Sequence, residues 1–173
     1  MRGHVCRCIA LAACLLMALA RAQAPANEAE AKARFTVTLA RFVQWPAAEP
    51  GPLRLCVLHN SPAVAAAFDG QQGVLVAGRP LNVSTGALAR GAACDLLFVD
   101  SSALRATAEV FLQPIERPML TLGAVDGFLS LGGLVELVNV NDALRFDVNL
   151  RALRVARLGL SGQVLKLARQ VRE

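Results

Sequence analysis

Apolar and polar positions alternate with the period of a β-strand in two neighbouring stretches near the end of the chain. The stretches cover 134–138 and 144–148, and the turn-forming run Asn-Val-Asn-Asp separates them. Side chains of a strand point alternately to its two faces. The pattern therefore predicts an antiparallel hairpin, with a turn centred between Val140 and Asn141.

This hairpin would have one apolar and one polar face. The turn pairs Glu136 with Arg145, an opposite-charge pair across the strands that favours the register. Asp147 lies on the same face. A slip by one residue would turn every side chain to the wrong side. Two interpretations of the polar face stay open: a solvated sheet surface, or a recognition surface carrying Arg145 and Asp147.

The remaining pattern alternates strands and helices. Apolar runs predict strands at 53–58, 81–84, 94–100 and 119–122. Helical spacing and caps predict helices at 27–43, 63–68, 101–112 and 150–157, and a last amphipathic helix that starts at Ser161 and has apolar positions up to Ala168. The glycines from 123 to 133 predict a turn or short helix. The fold class is therefore α/β: a three-layer domain with a mostly parallel central sheet, a C-terminal antiparallel hairpin, and helices on both faces.

The first helix carries an apolar stripe and ends at the chain's single tryptophan. Phe35, Leu39, Phe42 and Val43 recur at helical spacing, and Pro46 disfavours helix in the residue before it. Trp45 is interpreted either as a core anchor or as the wall of a pocket or interface.

The N-terminus has the features of an export signal. Arg2 and Arg7 precede an apolar run over 9–20, which is short for a membrane span. Small residues predict cleavage near Ala22 or Ala24, so 1–22 is a cleaved signal peptide and 27–173 a single domain. The alternative is a lipoprotein signal, with acylation at Cys14.

Loss of the signal changes the charge and the cysteine count. Three of the 18 basic residues leave with the signal, so the mature chain has 15 basic and 13 acidic residues. The net charge therefore falls from +5 to about +2. Nucleic acid is therefore not an expected partner. Cys56 and Cys94 remain, each beside an apolar strand. In an oxidising compartment we expect them to form a disulfide, the alternative being two separate buried thiols.

Catalytic patterns are missing from the sequence. The mature chain keeps one histidine, His59, on a turn, and it has no nucleophile elbow, dinucleotide fingerprint or metal-ligand spacing. Asp95 and Asp100 flank one strand without an evident acid–base partner. We therefore expect no catalytic residue, no metal and no cofactor, and the protein is interpreted as a binding protein and not an enzyme.

A family resemblance rests on several short motifs in a fixed order. Its opening is Lys32, Phe35, Leu39, Phe42-Val43 and Trp45-Pro46, followed by Gly78-Arg79-Pro80 and the strand from Cys94. Its close is Gly127-Phe128, Gly132-Gly133, 145–149, 158–161 and 165–168. Over about 32–171 the chain resembles the YfiR-like family.

The resemblance implies a periplasmic regulator. The best-known member of this family represses an inner-membrane diguanylate cyclase by binding its periplasmic sensor domain, which lowers cyclic-di-GMP output and biofilm formation. The expected partner is therefore such a cyclase, or a sensor kinase. Cys56 and Cys94 are similar in placement to one disulfide of that member, whereas the second cysteine pair of that member has no counterpart here.

The resemblance also implies that the protein can form a homodimer and that it can bind a small ligand. A pocket at the end of the first helix would include Gln44, Trp45, Arg145 and Asp147, and the hairpin adds Glu136 to the partner surface. The alternative function is a periplasmic small-ligand binding protein without a membrane partner. An unrecognised hydrolase is disfavoured.

Overall fold

The computed structural model of the chain describes residues 27–46, 51–86, 93–103 and 117–173. The helices are α1 (27–40), α2 (Pro62–Asp69), α3 (Leu150–Val155) and α4 (Gly162–Leu165), with 3₁₀ turns at Ser101–Ala103 and Phe128–Leu131. The strands are β1 (Val43–Gln44), β2 (Leu53–Leu58), β3 (Leu75–Val76), β4 (Arg79–Thr85), β5 (Leu96–Asp100), β6 (Leu120–Ala124), β7 (Val135–Val140), β8 (Ala143–Asn149), β9 (Gly159–Leu160) and β10 (Gln170–Arg172).

Eight of these strands form one sheet in the order β10-β8-β7-β6-β5-β2-β4-β3. The pairs β4–β2, β2–β5, β5–β6 and β6–β7 are parallel, whereas β3–β4 and the hairpin β7–β8 are antiparallel. The predicted α/β class, with a mostly parallel sheet and a C-terminal hairpin, is confirmed. β1 and β9 form a separate two-stranded sheet.

The register of the hairpin differs from the prediction by two residues. Val140 pairs with Ala143, so Glu136 lies opposite Asp147 and not opposite Arg145. The turn contains only Asn141 and Asp142, both with positive φ (49° and 59°). Such a turn matches the twist of paired strands, and Asn and Asp tolerate its backbone. A shift by two preserves the faces, so the predicted apolar and polar sides are correct.

The hairpin is not the edge of the sheet, because β10 pairs with β8 in parallel. The predicted last helix is therefore wrong beyond Leu165. The Ser161 hydroxyl accepts a hydrogen bond from Val164 N and caps α4, as its position suggested. The chain then leaves the helix and returns along β8, where Arg169 N donates to Phe146 O.

One face of the sheet is covered by α1, which buries small residues. Ala29, Ala33, Val37 and Ala40 are almost fully buried, whereas Phe42, predicted to lie on the apolar stripe, is 45% exposed. Small side chains let the helix axis approach the sheet closely.

Two further predicted elements are seen only in part. Asn149 caps α3 as expected, its side chain accepting from Ala152 N. Of the helix predicted over 101–112, the structure describes only the 3₁₀ turn Ser101–Ala103. The signal peptide 1–22 and both cleavage positions lie outside the described residues. Within the part of the chain that is described, no helix is long and apolar enough to cross a membrane.

Cys56 of β2 and Cys94, just before β5, form the expected disulfide. Their Cα atoms are 5.9 Å apart, and both residues are buried. They lie among Leu97, Val99 and Phe128 on the face of the sheet opposite α1.

Candidate functional site

Two buried carboxylates oppose each other on the polar face of the hairpin. Glu136 is 7% and Asp147 1% exposed. The Glu136 carboxylate accepts hydrogen bonds from the backbone N–H groups of Gly127 (3.0 Å) and Leu129 (3.1 Å). It thereby fixes the 3₁₀ turn over the sheet. Glu136 therefore positions the turn and does not present its charge to solvent.

Arg169 neutralises Asp147 through a two-pronged ion pair. Its Nε donates to Asp147 Oδ1 at 2.9 Å and its Nη2 to Oδ2. These hydrogen bonds, together with the charge on Glu136, raise the pKa of Arg169 above its ordinary value. Arg172 on β10 donates to Ser130 Oγ at 3.2 Å. The C-terminal strand is therefore attached to both the hairpin and the 3₁₀ turn by arginines.

Arg145 is the exposed member of the predicted surface. It lies opposite Val138 in the hairpin, on the face that carries Asp147. No carboxylate in the described residues forms an ion pair with it. Its guanidinium is therefore open to solvent, unlike the carboxylates of Glu136 and Asp147.

Gln44 and Trp45 lie at a different place. Gln44 is exposed in β1, opposite Gly159. Trp45 is half-buried, packs against the core cluster under α1, and donates its indole N–H to Ala40 O at 3.2 Å. The structure therefore brings Glu136 and Asp147 together, but Trp45 packs against the core cluster that includes the apolar face of the hairpin, and not with the polar face.

Sequence reasoning missed a buried ion pair at the carboxyl end of β5. Lys32 Nζ on α1 lies 3.1 Å from Asp100 Oδ1 and 2.8 Å from Glu28 Oε1. Asp100 also accepts from the backbone N–H and hydroxyl of Ser102. The signal that could have found it is Lys32 itself, since a lysine on the buried stripe of a helix requires a carboxylate.

The electrostatics of this pair favour its charged form. Burial by itself would raise the pKa of Asp100, but hydrogen bonds from Ser102 and the charge of Lys32 outweigh it, so the pKa lies below 3.8. Burial would likewise lower the pKa of Lys32, yet hydrogen bonds and charges from Glu28 and Asp100 raise it above 10.5. The pair therefore anchors α1 to the sheet.

His59 and Asn60 border the same end of the sheet. Asn60 bonds Ser102 through its backbone N–H and its side-chain amide. His59 Nδ1 accepts from Ser61 N at 3.1 Å, and its buried Nε2 has no hydrogen-bond partner among the described residues. This arrangement fixes the turn after β2.

At the opposite end of the sheet, Asp95 receives three arginines. Arg54 binds it with both side-chain and backbone N–H groups at 2.9–3.0 Å, while Arg79 and Arg117 lie 3.9 and 3.8 Å away. Burial would raise the pKa of Asp95, but the bonds and charge of Arg54 lower it below 3.8. Asp95 is thus a strand-end anchor. No group of three potential ligands for a metal ion occurs in the described ranges.

The sequence matches the YfiR/HmsC-like family over residues 29–169, most of the chain. The chain belongs to the YfiR/HmsC-like family. The match includes the Lys32–Asp100 ion pair and the hairpin residues Glu136 and Asp147, and it ends at Arg169, directly before β10. No curated protein matches the chain at a significant level.

Solved structures with similar folds are distant in sequence. A conserved domain protein from Vibrio cholerae O1 biovar El Tor is 15% identical, with a TM-score of 0.50, over 71% of this chain and 56% of that chain. The ABC domain in complex with L-Trp from Streptococcus pneumoniae is 14% identical, with a TM-score of 0.55, over 80% and 60%. The YfiR/HmsC-like chain thus spans less than two thirds of either, and the likeness is one of fold.

Proposed function

We propose that this protein is an exported periplasmic regulator that binds and represses the periplasmic sensor domain of an inner-membrane signalling enzyme. The partner we favour is a diguanylate cyclase, which makes cyclic-di-GMP a measurable output. The observation that carries the proposal is the family match over 29–169. Known members of the YfiR-like family are periplasmic regulators.

The chemistry of the described residues supports binding over catalysis. Each carboxylate of the polar clusters is occupied by backbone N–H groups, by a lysine or by an arginine. Carboxylates engaged in this way position secondary structure, which favours a structural role for them over acid–base chemistry. Regulation through binding remains the function that fits them best.

Within the proposed interface, Arg145 makes the direct contact. It is exposed, whereas Glu136 and Asp147 hold its strand and the neighbouring 3₁₀ turn in place. An arginine at an interface can bind a carboxylate with two parallel hydrogen bonds, so truncation of such a residue weakens a complex strongly.

The alternative, a small-ligand binding protein without a membrane partner, loses part of its motivation. It was based on Trp45, Arg145 and Asp147 as one group. Trp45 packs with the apolar side of the hairpin, and Asp147 is occupied by Arg169. The Streptococcus pneumoniae domain is in complex with L-Trp, but this does not support a small ligand here, because the similarity to that domain is one of fold alone.

The experiment compares cyclic-di-GMP in cells that contain or lack the protein. We expect a several-fold rise on deletion, which wild-type protein reverses and Arg145→Ala does not. The matched control is Arg34→Ala, because Arg34 is an exposed helix residue whose side chain is 67% accessible. Membranes are also passed over immobilised protein. Unchanged cyclic-di-GMP, with no membrane enzyme retained, would refute the proposal.

A further inference from the structure

Charge is distributed unevenly along the chain. Residues 145–173 contain seven basic residues and two acidic ones, whereas 23–144 contain eight basic and eleven acidic. One of the two acids, Asp147, is already neutralised by Arg169. The last part of the protein is therefore strongly cationic, although the mature chain as a whole is nearly neutral.

The helix α3 presents two of these cations beside an exposed aliphatic side chain. Arg151, Arg154 and Val155 are spaced i, i+3 and i+4, so they share one face of the helix. All three are exposed, Val155 at 79%, while Leu153 on the opposite face is fully buried. Neither arginine forms an ion pair with a carboxylate of the described residues.

The segment before β10 carries a further exposed cation and a further exposed aliphatic side chain. α3 lies against β10. Lys166 and Leu167 lie just before that strand, and Leu167 is 73% exposed. We name the α3–β10 basic surface by six residues: Arg151, Arg154, Val155, Arg157, Lys166 and Leu167.

The chemistry of the surface favours a lipid bilayer over an acidic protein. Protein interfaces concentrate binding energy in aromatic side chains that fill pockets. Between 145 and 173 the only aromatic residue is Phe146, which is 6% exposed. Val155 and Leu167 instead lie exposed among cations that form no ion pair in the described residues. This combination suits a bilayer surface, where cations bind lipid phosphates and aliphatic side chains insert at the boundary of the acyl chains.

We propose that the α3–β10 basic surface docks the protein on anionic phospholipid headgroups. The planar guanidinium groups of Arg151, Arg154 and Arg157 can each bind a phosphate with two hydrogen bonds. The proposal does not depend on the identity of the enzyme partner. For a periplasmic regulator, such docking would raise the local concentration of the protein at the membrane that holds its target.

Vesicle binding by the full mature protein tests this docking. Sedimentation with phosphatidylcholine vesicles is compared with vesicles containing about one third phosphatidylglycerol. We expect binding to the anionic vesicles only, weakening as salt rises. Arg151→Gln/Arg154→Gln should reduce the affinity about 25-fold, roughly fivefold for each cation.

The control for net charge is Arg34→Glu, which changes the charge by the same two units at an exposed site on α1. It should leave the affinity within about twofold of wild type, because Arg34 does not belong to the α3–β10 basic surface. Val155→Ser/Leu167→Ser should cost roughly tenfold, since it removes the apolar contribution while leaving the salt dependence.

Circular dichroism confirms that each variant remains folded. Equal affinity for neutral and anionic vesicles would overturn the proposal, as would equal losses in Arg34→Glu and Arg151→Gln/Arg154→Gln. If the double variant bound vesicles like wild type but lost capture of an acidic protein, the surface would be a protein interface and the proposal would be wrong.

Discussion

At the scale of single residues, Arg169 determines whether two opposed carboxylates can be buried. Asp147 is 1% exposed and faces Glu136 across the hairpin. A buried charge that loses its partner destabilises a protein strongly. We expect Arg169→Met to lower the urea midpoint more than Asp147→Asn does. Arg169→Met leaves the buried charge of Asp147 without its partner, whereas Asp147→Asn leaves Arg169, whose side chain is 42% accessible and can be solvated by water.

Combining the two substitutions checks this interpretation. Asp147→Asn/Arg169→Met should be more stable than Arg169→Met alone, since the orphaned charge has been removed. Arg172→Met is the control, because Arg172 bonds only an exposed Ser130 hydroxyl within the described residues. If Arg172→Met and Arg169→Met had equal effects, Arg169 would contribute packing and not neutralisation.

The Lys32–Asp100 pair makes stability depend on pH at both extremes. The pKa of Asp100 is lowered below 3.8, so its stabilisation is present above that pH and is lost as pH falls through the folded-state pKa. The pKa of Lys32 is raised above 10.5, so its stabilisation is present below that pH and is lost as pH rises further.

We therefore expect Lys32→Met to reduce the free energy of unfolding by about 3 kcal/mol at neutral pH, because Asp100 keeps a buried charge. The deficit should narrow in acid, as pH falls through the lowered pKa of Asp100 and this carboxyl becomes protonated in the wild type as well. Urea titrations across pH measure it. Arg34→Met, which removes only an exposed pair with Glu30, should cost less than about 0.5 kcal/mol. A deficit independent of pH would contradict the ion-pair explanation.

Which residues would be important could be predicted better than what they contact. Asn149 and Ser161 were identified as helix caps because a cap is decided by adjacent sequence. Lys32 stood among the family motifs without a partner, since Asp100 is 68 positions away. Glu136 and Asp147 were placed on the correct face, but their neutralisation depends on Arg169 in a strand that local propensity did not indicate.

At the scale of elements, Phe128 fits between two glycines. A Cβ at Gly123 or Gly133 would overlap the Phe128 ring, and at Gly133 it would also lie 2.8 Å from Phe128 O. We expect Gly133→Ala to reduce the free energy of unfolding by about 2 kcal/mol, because the core there has no room for a methyl group.

Gly162→Ala provides the matched control. A Cβ at Gly162 would meet nothing within 4 Å, and its backbone does not require glycine. That substitution should be neutral or slightly stabilising. Thermal denaturation measures both variants. If Gly133→Ala were as stable as Gly162→Ala, the 3₁₀ turn would be able to move away from the sheet without cost.

Element types were predicted from local pattern, but pairing was not. The alternation in β7 and β8 established the faces, yet the register depends on whether the turn has two or more residues. The Asn141–Asp142 turn, with positive φ at both positions, permits the tighter one. The prediction of the last helix was wrong beyond Leu165 for a non-local reason. β10 pairs with the edge of β8, and Arg169 binds Asp147, so this part of the chain is not helical despite its helical pattern.

At the scale of the whole molecule, the alternation of strands and helices was enough to predict an α/β fold. What it could not supply is the order of strands, because β2 lies between β4 and β5 while preceding both in sequence. Because β2 and β5 are parallel neighbours, Asp100 and the turn at His59 lie at the same carboxyl end of the strands. The charged clusters at the two ends of the strands follow from that topology and not from any local motif.

The disulfide is the covalent counterpart of that topology. Cys56 and Cys94 are 38 positions apart, and the closed segment contains α2, β3 and β4. Because β2 and β5 are already hydrogen-bonded neighbours, the bond acts mainly by restricting the unfolded chain. A loop of this length corresponds to about 4 kcal/mol of the free energy of unfolding.

We expect Cys56→Ala/Cys94→Ala to lose at least that much of the free energy of unfolding, and we expect reduction of the wild-type protein to have a similar effect. Urea denaturation with and without dithiothreitol measures both. Mass spectrometry of unreduced protein confirms the bond in the starting material. Oxidised and reduced wild type with the same midpoint would mean that the β2–β5 pairing persists in the unfolded ensemble and that the cross-link is energetically silent.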